Sequence, residues 1–230
     1  MEEFFGARSG RGVGDQGQVI DLVTNQVGSL SVPSGVLGAV DPFAALDSPL
    51  KVEVKPGTYP VILTLGTYQE DDDPEFPDVA YLSLVLADGE PANVEPVPGT
   101  LVDGALYGVT TWGGGVGFVD ALAAVGHLLP AGSAVLQNWG AMAGQHPHGV
   151  LDAPLPWAAH GENVIGVVSP NDQGQYPLYL TRDTSGKPLA VHIDFLVVGE
   201  GRYLLDVREW PPSNEVKRTG LKSAPMNRWP

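Results

Sequence analysis

Most of this chain consists of short apolar runs separated by glycine, proline, asparagine and aspartate. Turn-forming residues at such short intervals are typical of many short β-strands. The segment Tyr59–Leu65 shows the pattern well, because its β-branched and aromatic residues suit a pleated surface. Prolines such as Pro56 and Pro60 lie at the edges of the runs, where a missing N–H does least harm to a strand ladder. The pattern predicts a mainly β fold, either an antiparallel sandwich or a strongly bent sheet.

Nine segments fit the strand pattern. They are Val36–Val40, Lys51–Val54, Thr58–Leu65, Val79–Leu86, Leu106–Thr111, Asn163–Val168, Tyr176–Thr181, Leu189–Val198 and Arg202–Val207. The last two are separated by Gly199-Glu200-Gly201, a short glycine-rich connection that predicts a hairpin. Strict alternation in Leu189–Val198 places Asp194 and His192 on one side of the strand, which we expect to face solvent.

One short helix is predicted at Phe118–Leu129. Leu122, Val125 and Leu129 share one face of that helix, and Asp120 lies in its first turn, where the helix dipole favours an acid. Residues 131–144 fit either a helix or a loop, because Gly140 interrupts their apolar residues.

The chain divides into three parts. Residues 1–18 contain a glycine-rich polar stretch, which predicts a flexible N-terminus because glycine loses much backbone entropy on ordering. Residues 19–210 form a single β-rich domain, large enough to fold without a disulfide or a structural metal. Residues 211–230 carry four basic residues against one acid. This basic tail is either an interaction arm or a polar terminus lying on its own acidic body.

The charge balance narrows the range of partners. The chain has 27 acidic and 12 basic residues, a formal charge of −15 and a sequence pI of about 4.5. Such a surface repels phosphates, which argues against nucleic acid and anionic membranes and favours a basic protein. Between residues 70 and 78, six acids are packed together. They suit either binding of a cation or basic protein, or a solvated loop that limits aggregation.

Cysteine is absent, which excludes disulfides, thiolate zinc sites and cysteine nucleophiles. The first five residues, Met1 to Phe5, are acidic and aromatic, unlike the basic and apolar start of a secretory signal. No apolar run reaches the ~18 residues of a membrane span. These features predict a cytoplasmic protein with no membrane partner.

Five phrases, in order, resemble a bacterial family known as domain of unknown function 4241. They are Ser34-Gly35 with Asp41-Pro42, Pro56-Gly57-Thr58-Tyr59-Pro60-Val61, Gly115-Val116-Gly117-Phe118-Val119-Asp120, Ser169-Pro170-Asn171-Asp172-Gln173-Gly174-Gln175-Tyr176, and Asp194-Phe195. The resemblance covers residues 30–198 and implies a β-rich bacterial domain. It implies no reaction, because the family has no assigned activity.

The phrases contain four carboxylates, Asp41, Asp120, Asp172 and Asp194. If three converged at strand ends, they would suit Ca²⁺ or Mg²⁺, and two in different environments would suit an acid–base pair. Asp120, Asp172 and Asp194 are therefore the catalytic candidates. The alternative is structural, because aspartate beside glycine or proline also forms turns and helix caps. The sequence assigns no metal site and no cofactor.

Trp112 is the aromatic residue most suggestive of a binding surface. Three glycines follow it and let a ligand or another backbone come close. Together with Asp41, Gly174 and Tyr176, it makes up the predicted ligand-binding set. His146 and His148 could present two imidazoles from one loop, but no HExxH pattern, serine elbow or phosphate loop is present.

Two functions follow from these observations. The first is an acidic protein-interaction module, for example an inhibitor or immunity-type protein for a basic partner. The alternative is a hydrolase that uses clustered aspartates with a divalent cation. The sequence sets neither the identity of the partner or substrate nor the oligomeric state.

Overall fold

A computed structural model describes residues 6–14, 17–69, 77–97, 101–102, 105–106, 108–127, 129–170 and 173–199. These residues form fifteen strands and two helices, in the order β1 (Gly10–Val13), β2 (Val19–Val32), β3 (Val36–Val40), β4 (Leu50–Glu53), β5 (Gly57–Tyr68), β6 (Asp78–Val85), β7 (Asn93–Pro96), β8 (Leu101–Val102), β9 (Ala105–Leu106), β10 (Gly108–Thr111), β11 (Gly115–Asp120), α1 (Ala121–Ala124), α2 (Ala134–Gln145), β12 (Val150–Pro154), β13 (Asn163–Val168), β14 (Gly174–Arg182) and β15 (Pro188–Asp194).

The strands form two main antiparallel sheets. The large sheet is curled and has the order β1-β2-β5-β6-β15-β14-β10, with β7 pairing along the same edge of β14 as β10. The second sheet has the order β12-β13-β11-β3-β4. β8 and β9 form a separate two-stranded ladder.

The main hydrophobic core lies between the two sheets. The large sheet contributes alternate residues such as Val61 and Leu63 of β5, and the second sheet contributes Phe118 and Ile165. These side chains are at most 1% exposed. Because burial of apolar area is the dominant favourable term in folding, this layer holds the two sheets together.

The other face of the second sheet is also covered. Trp139 and Ala143 of α2 pack against Leu151 and Val164 of that sheet, which gives a second buried cluster. Every residue of β11 is therefore buried, on both faces of the strand. Burial on both faces explains why the central strands of this sheet are apolar runs without alternation.

A bulge in β2 lets one strand serve both faces of the large sheet. The register with β5 shifts between Gln26 and Gly28. Before the shift, Ile20 and Leu22 belong to a small cluster on the outer face, and after it Leu30 faces the main core. At Gly28, a Cβ atom would lie only 2.6 Å from Asp152 Oδ2, so glycine is required for this approach of the two sheets.

Asn163 joins the two sheets at one seam. Its Oδ1 accepts a hydrogen bond from Ser31 N at 3.0 Å, and its Nδ2 donates to Ser29 O at 3.1 Å. The same Nδ2 donates to Asp152 Oδ1 at 2.9 Å. The side-chain amide thus fastens β13 to the backbone edge of β2, on the side where none of the described strands pairs with Ser29 or Ser31.

The predicted mainly β fold is confirmed. The strands β3 and β13 have the predicted bounds, and six more predicted segments overlap observed strands. The predicted strand Arg202–Val207 and the basic tail 211–230 lie outside the described residues. Most of the acidic cluster, from 70 to 76, also lies outside them. No helix within the described ranges is long and apolar enough to cross a membrane.

The helices differ from the expectation in extent. Among the described residues of the predicted segment Phe118–Leu129, the helix covers Ala121–Ala124, because Phe118 and Val119 pair with both β3 and β13 and Asp120 pairs with β3. Leu122 and Val125 are 57% and 43% exposed instead of forming a buried helix face. The longer helix, α2, lies in the segment 131–144, for which the sequence allowed either a helix or a loop.

Six strands were not predicted: β1, β2, β7, β8, β11 and β12. The buried residues of β2 stand at its two ends, Ile20 and Leu22 before the bulge and Leu30 and Val32 after it, so no continuous apolar run marks the strand. β1 lies inside the glycine-rich segment expected to be flexible, where residues 10–13 pair with the edge of β2.

Replacing Asn163 with Ala tests the seam. We expect the free energy of unfolding to fall by about 1–2 kcal/mol, because Ser31 N–H and Ser29 C=O lose their partner. Chemical denaturation measures this loss. The exposed Asn25 of β2 is the matched control, and Asn25→Ala should change stability by less than about 0.5 kcal/mol. Equal effects of the two substitutions would show that Asn163 does not fasten the sheets.

Candidate functional site

Asp41 lies directly after β3 and is buried. Its Oδ1 accepts hydrogen bonds from Phe43 N at 2.9 Å and Ala44 N at 3.1 Å. Its Oδ2 accepts from Trp112 N and Gly113 N, both at 2.7 Å, and from Thr111 Oγ1 at 3.2 Å. The carboxylate therefore connects the second sheet to the end of β10 in the large sheet. With five donors on two oxygens, its acceptor capacity is taken up by the protein itself.

Trp112 combines a fixed backbone with a free side chain. Asp41 holds its N–H, whereas its side chain leaves the residue 66% exposed. The glycines after it serve packing within the chain. A Cβ atom at Gly115 would lie 2.5 Å from the ring of Phe43, and one at Gly113 would lie 2.8 Å from Phe43 Cβ. The close approach predicted for these glycines is thus made by Phe43.

The segment that carries Gly174 and Tyr176 lies beside this loop. Gly174 pairs with Thr111, and Tyr176 pairs with Val109, in the ladder between β14 and β10. Ser169 N donates to Gly114 O at 2.9 Å. Three of the phrases noted in the sequence therefore meet at one end of the molecule. We call this area the Trp112 surface and define it by its exposed or half-buried residues Trp112, Gly113, Gly114 and Gly174.

Tyr176 itself does not contribute to an exposed surface. Its side chain is buried in the main core, and its ring lies 4.9 Å from that of Phe195 at an angle of 51°. Of the predicted ligand-binding set, only Trp112 presents a large side chain to solvent.

Asp120 caps α1. Its Oδ1 accepts from Leu122 N at 2.9 Å, Ala123 N at 3.0 Å and Ser34 Oγ at 2.9 Å, and its Oδ2 accepts from Ser34 N at 2.9 Å. The buried carboxylate thus links the start of the helix to the Ser34-Gly35 turn, which has the positive φ that glycine tolerates.

The predicted aspartates lie apart in the structure. Asp120 is opposite Leu37 in the ladder, whereas Asp41 comes four residues after Leu37, which separates the two by about 13 Å at ~3.3 Å per residue. Asp194 lies at the end of β15 in the other sheet. Asp172 is outside the described residues. Within the described ranges, no group of three histidine, aspartate or glutamate side chains could hold a metal ion.

A polar cluster on the outer face of the large sheet was not predicted. His192 is 1% exposed, with Nδ1 2.8 Å from Ser83 Oγ and Nε2 3.0 Å from Thr181 Oγ1. Burial lowers the pKa of His192 to about 3, so the imidazole is neutral at physiological pH. His192 and Asp194 do share one face of β15, but the expectation that they face solvent is wrong, because that face is covered.

Asp194 is the carboxyl of this cluster. Its Oδ1 accepts from Leu196 N at 2.8 Å. Burial raises the pKa of Asp194 to about 7, and the hydrogen bond from Leu196 opposes this shift. The pKa values of Tyr81 and Tyr179 are also raised, first by burial and then by the charge of Asp194. Thr64 Oγ1 is buried opposite Tyr81 in the ladder and has no hydrogen-bond partner among the described residues.

One sequence signal could have revealed the cluster. Tyr81 and Ser83, Tyr179 and Thr181, and His192 and Asp194 each stand two apart in a predicted strand. Period-two alternation puts each pair on one face of its strand. The strand order β6-β15-β14, which the sequence does not give, puts the three pairs side by side.

The other histidines serve local contacts. The rings of His146 and His148 lie 5.9 Å apart at an angle of 58°. His127 stacks on Trp157 at 4.2 Å, and Trp157 Nε1 donates to Ala123 O at 2.7 Å. Glu162 accepts from His160 N at 2.7 Å.

Comparison with known proteins identifies a family. The family model described as "Protein of unknown function (DUF4241)" matches residues 30–193. The chain therefore belongs to the DUF4241 family. No curated protein matches the chain. No solved structure matches it either.

Replacing Asp41 with Asn tests whether its carboxylate holds the end of β3 to the loop that follows β10. The amide nitrogen cannot accept the hydrogen bonds that one carboxylate oxygen accepts, so buried N–H groups lose their partner. We expect the free energy of unfolding to fall by about 2–4 kcal/mol in chemical denaturation. The exposed Asp88 provides the control, since Asp88→Asn should be close to neutral. If Asp41→Asn lowers the free energy of unfolding by less than about 0.5 kcal/mol, the hydrogen bonds of Asp41 do not hold these two segments together.

Proposed function

We propose that this member of the DUF4241 family is a protein-interaction module for a basic partner, with Trp112 as the anchor of its contact surface. The observation that carries the proposal is the 66% exposure of Trp112 on a backbone fixed by Asp41. Tryptophan is among the residues that most often dominate the binding energy of protein interfaces.

The fixed backbone supports binding by reducing its entropic cost. Asp41 holds the N–H groups of Trp112 and Gly113, and Ser169 N donates to Gly114 O from the other side of the loop. A loop that is already ordered loses less conformational freedom when a partner docks. Only the side chain of Trp112 would then have to be immobilised.

The charge of the domain supports a basic partner. Residues 6–199 include 21 acidic and six basic residues. Three of these basic residues are already in ion pairs, Arg8 with Glu90, Arg11 with Asp21 and Arg182 with Glu95. A net negative field accelerates encounter with a cationic protein and disfavours nucleic acid. An inhibitor or immunity-type protein for a basic target has these properties.

The hydrolase alternative gains less from the geometry. Asp41 and Asp120 already accept five and four hydrogen bonds from the protein. Catalysis by Asp120 would require it to give up the cap of α1 and the contact with Ser34. A role as an interaction module leaves these hydrogen bonds in place.

Replacing Trp112 with Ala tests the anchor. With the wild-type domain as bait, we expect basic proteins from the source cells to be retained at low salt and released as salt increases. Trp112→Ala should weaken the capture of these proteins by about tenfold or more. Stability should change by less than about 0.5 kcal/mol, because the side chain is exposed.

The matched control is Leu122→Ala, which truncates another exposed apolar side chain on a different part of the fold. It should retain the same proteins as the wild type. Two results would refute the proposal: no basic protein is retained at any salt concentration, or Trp112→Ala retains the same proteins with the same strength.

A further inference from the structure

β4 lies at one end of the second sheet and, among the described strands, pairs with β3 alone. Just beyond this ladder, Val54 N donates to Gly35 O at 2.9 Å. Because bonded residues alternate along an antiparallel ladder, Val52 and Val54 direct their main-chain groups to β3. The N–H and C=O groups of Lys51 and Glu53 therefore point away from the sheet. None of the described strands pairs with them on that side.

The side chains of these two residues carry charges without a partner. Lys51 and Glu53 are both exposed and, two positions apart, share one face of β4. Neither side chain has a hydrogen bond or an ion pair within the described part of the chain. The outer edge of the sheet therefore offers a positive and a negative charge side by side, and each can pair with an outside group.

The opposite face of the strand is apolar. Val52 is buried in the main core, and Leu50 and Val54 are half-buried and pack against that core. A further strand beside β4 would remove more of Leu50 and Val54 from water, which is favourable for apolar side chains. The edge strand thus has apolar residues on one face and charges of opposite sign on the other.

We infer that a second copy of this chain occupies the edge: two copies pair antiparallel through β4, about a two-fold axis at Val52, and join two five-stranded sheets into one continuous sheet. Lys51 then lies opposite Glu53 of the second copy, and their outward main-chain groups bond to each other. Leu50 lies opposite Val54 of the second copy on the apolar face. The two-fold symmetry makes each contact twice. The inference is independent of the proposed interaction at Trp112.

The sequence of β4 favours this register over its neighbours. A shift by one residue would bring the outward N–H groups of one copy against residues that already bond to their own sheet. A shift by two residues would place either Lys51 opposite Lys51 or Glu53 opposite Glu53, and like charges directly opposite are destabilising. Charged edge residues commonly prevent pairing with other chains. Here they disfavour the shifted registers and match in the one centred on Val52.

Analytical ultracentrifugation with charge exchange tests the pairing. The wild-type chain of 24.2 kDa should sediment as a reversible dimer. Lys51→Glu sets two carboxylates opposite each other, and Glu53→Lys sets two ammonium groups opposite each other. Each substitution should raise the dissociation constant by about tenfold or more, because both symmetry-related pairs become repulsive. The double variant Lys51→Glu/Glu53→Lys restores opposite charges and should return the dissociation constant to within about threefold of the wild-type value.

Lys187→Glu is the matched control, because it changes the net charge as Lys51→Glu does at an exposed position outside β4. It should leave the dissociation constant within about threefold of the wild-type value. Three results overturn the inference. The wild type stays monomeric up to about 1 mM, Lys51→Glu and Lys187→Glu have equal effects, or the double variant dimerises no better than the single variants.

Engineered cysteines test the register in a chain that has none of its own. Position 51 would lie about 5.5 Å from position 53 of the second copy, within reach of a disulfide, whereas the two positions 51 would be about 8 Å apart. A mixture of Lys51→Cys and Glu53→Cys chains should therefore form a cross-linked dimer under mild oxidation, several times faster than either variant alone. Equal cross-linking of one variant alone, or none in the mixture, overturns the inference. If a charge variant does not fold, this experiment decides by itself.

Discussion

The hydrogen bonds accepted by Asp41 are the contacts on which the arrangement of the two sheets most depends. Apolar burial between the sheets supplies most of the stabilisation, but it is non-directional and allows two sheets to slide. Asp41 removes that freedom at one seam, because its carboxylate joins the end of β3 to three donors at the end of β10. Asn163 does the same at the opposite seam, between β13 and β2. The curled sheet is thus fastened to the second sheet on both sides.

The same carboxylate connects the fold to the proposed function. Without it, the N–H groups of Trp112 and Gly113 would lose their acceptor, and a buried, unpaired N–H is costly. With it, both N–H groups have an acceptor, and the loop that carries the exposed indole is held to the end of β3. The glycines that follow Trp112 serve this packing, since they leave room for the ring of Phe43. Stability and the exposed anchor therefore have a common cause.

The buried aspartates differ in the number of hydrogen-bond donors around each carboxyl group. Asp41 and Asp120 each accept hydrogen bonds from several backbone N–H groups, which tie them to neighbouring segments. Asp194 accepts one backbone N–H and lies beside Tyr81 and Tyr179, so burial dominates and raises its pKa to about 7. The first two residues are therefore fixed structural groups.

The sequence by itself determined the β class, because frequent turn residues and short apolar runs leave few other folds open. It also determined β3 and β13, whose apolar runs end at turn residues. For Asp41 and Asp120 it left a structural role open beside the binding and catalytic ones, because their neighbours also suit a turn and a helix cap. Only the tertiary structure decided that Phe118 to Asp120 extend a strand, that β2 changes faces at its bulge, and that His192 and Asp194 are covered. The reason is that a local pattern says which residues share a face, whereas burial depends on which strands and segments, distant in sequence, lie against that face.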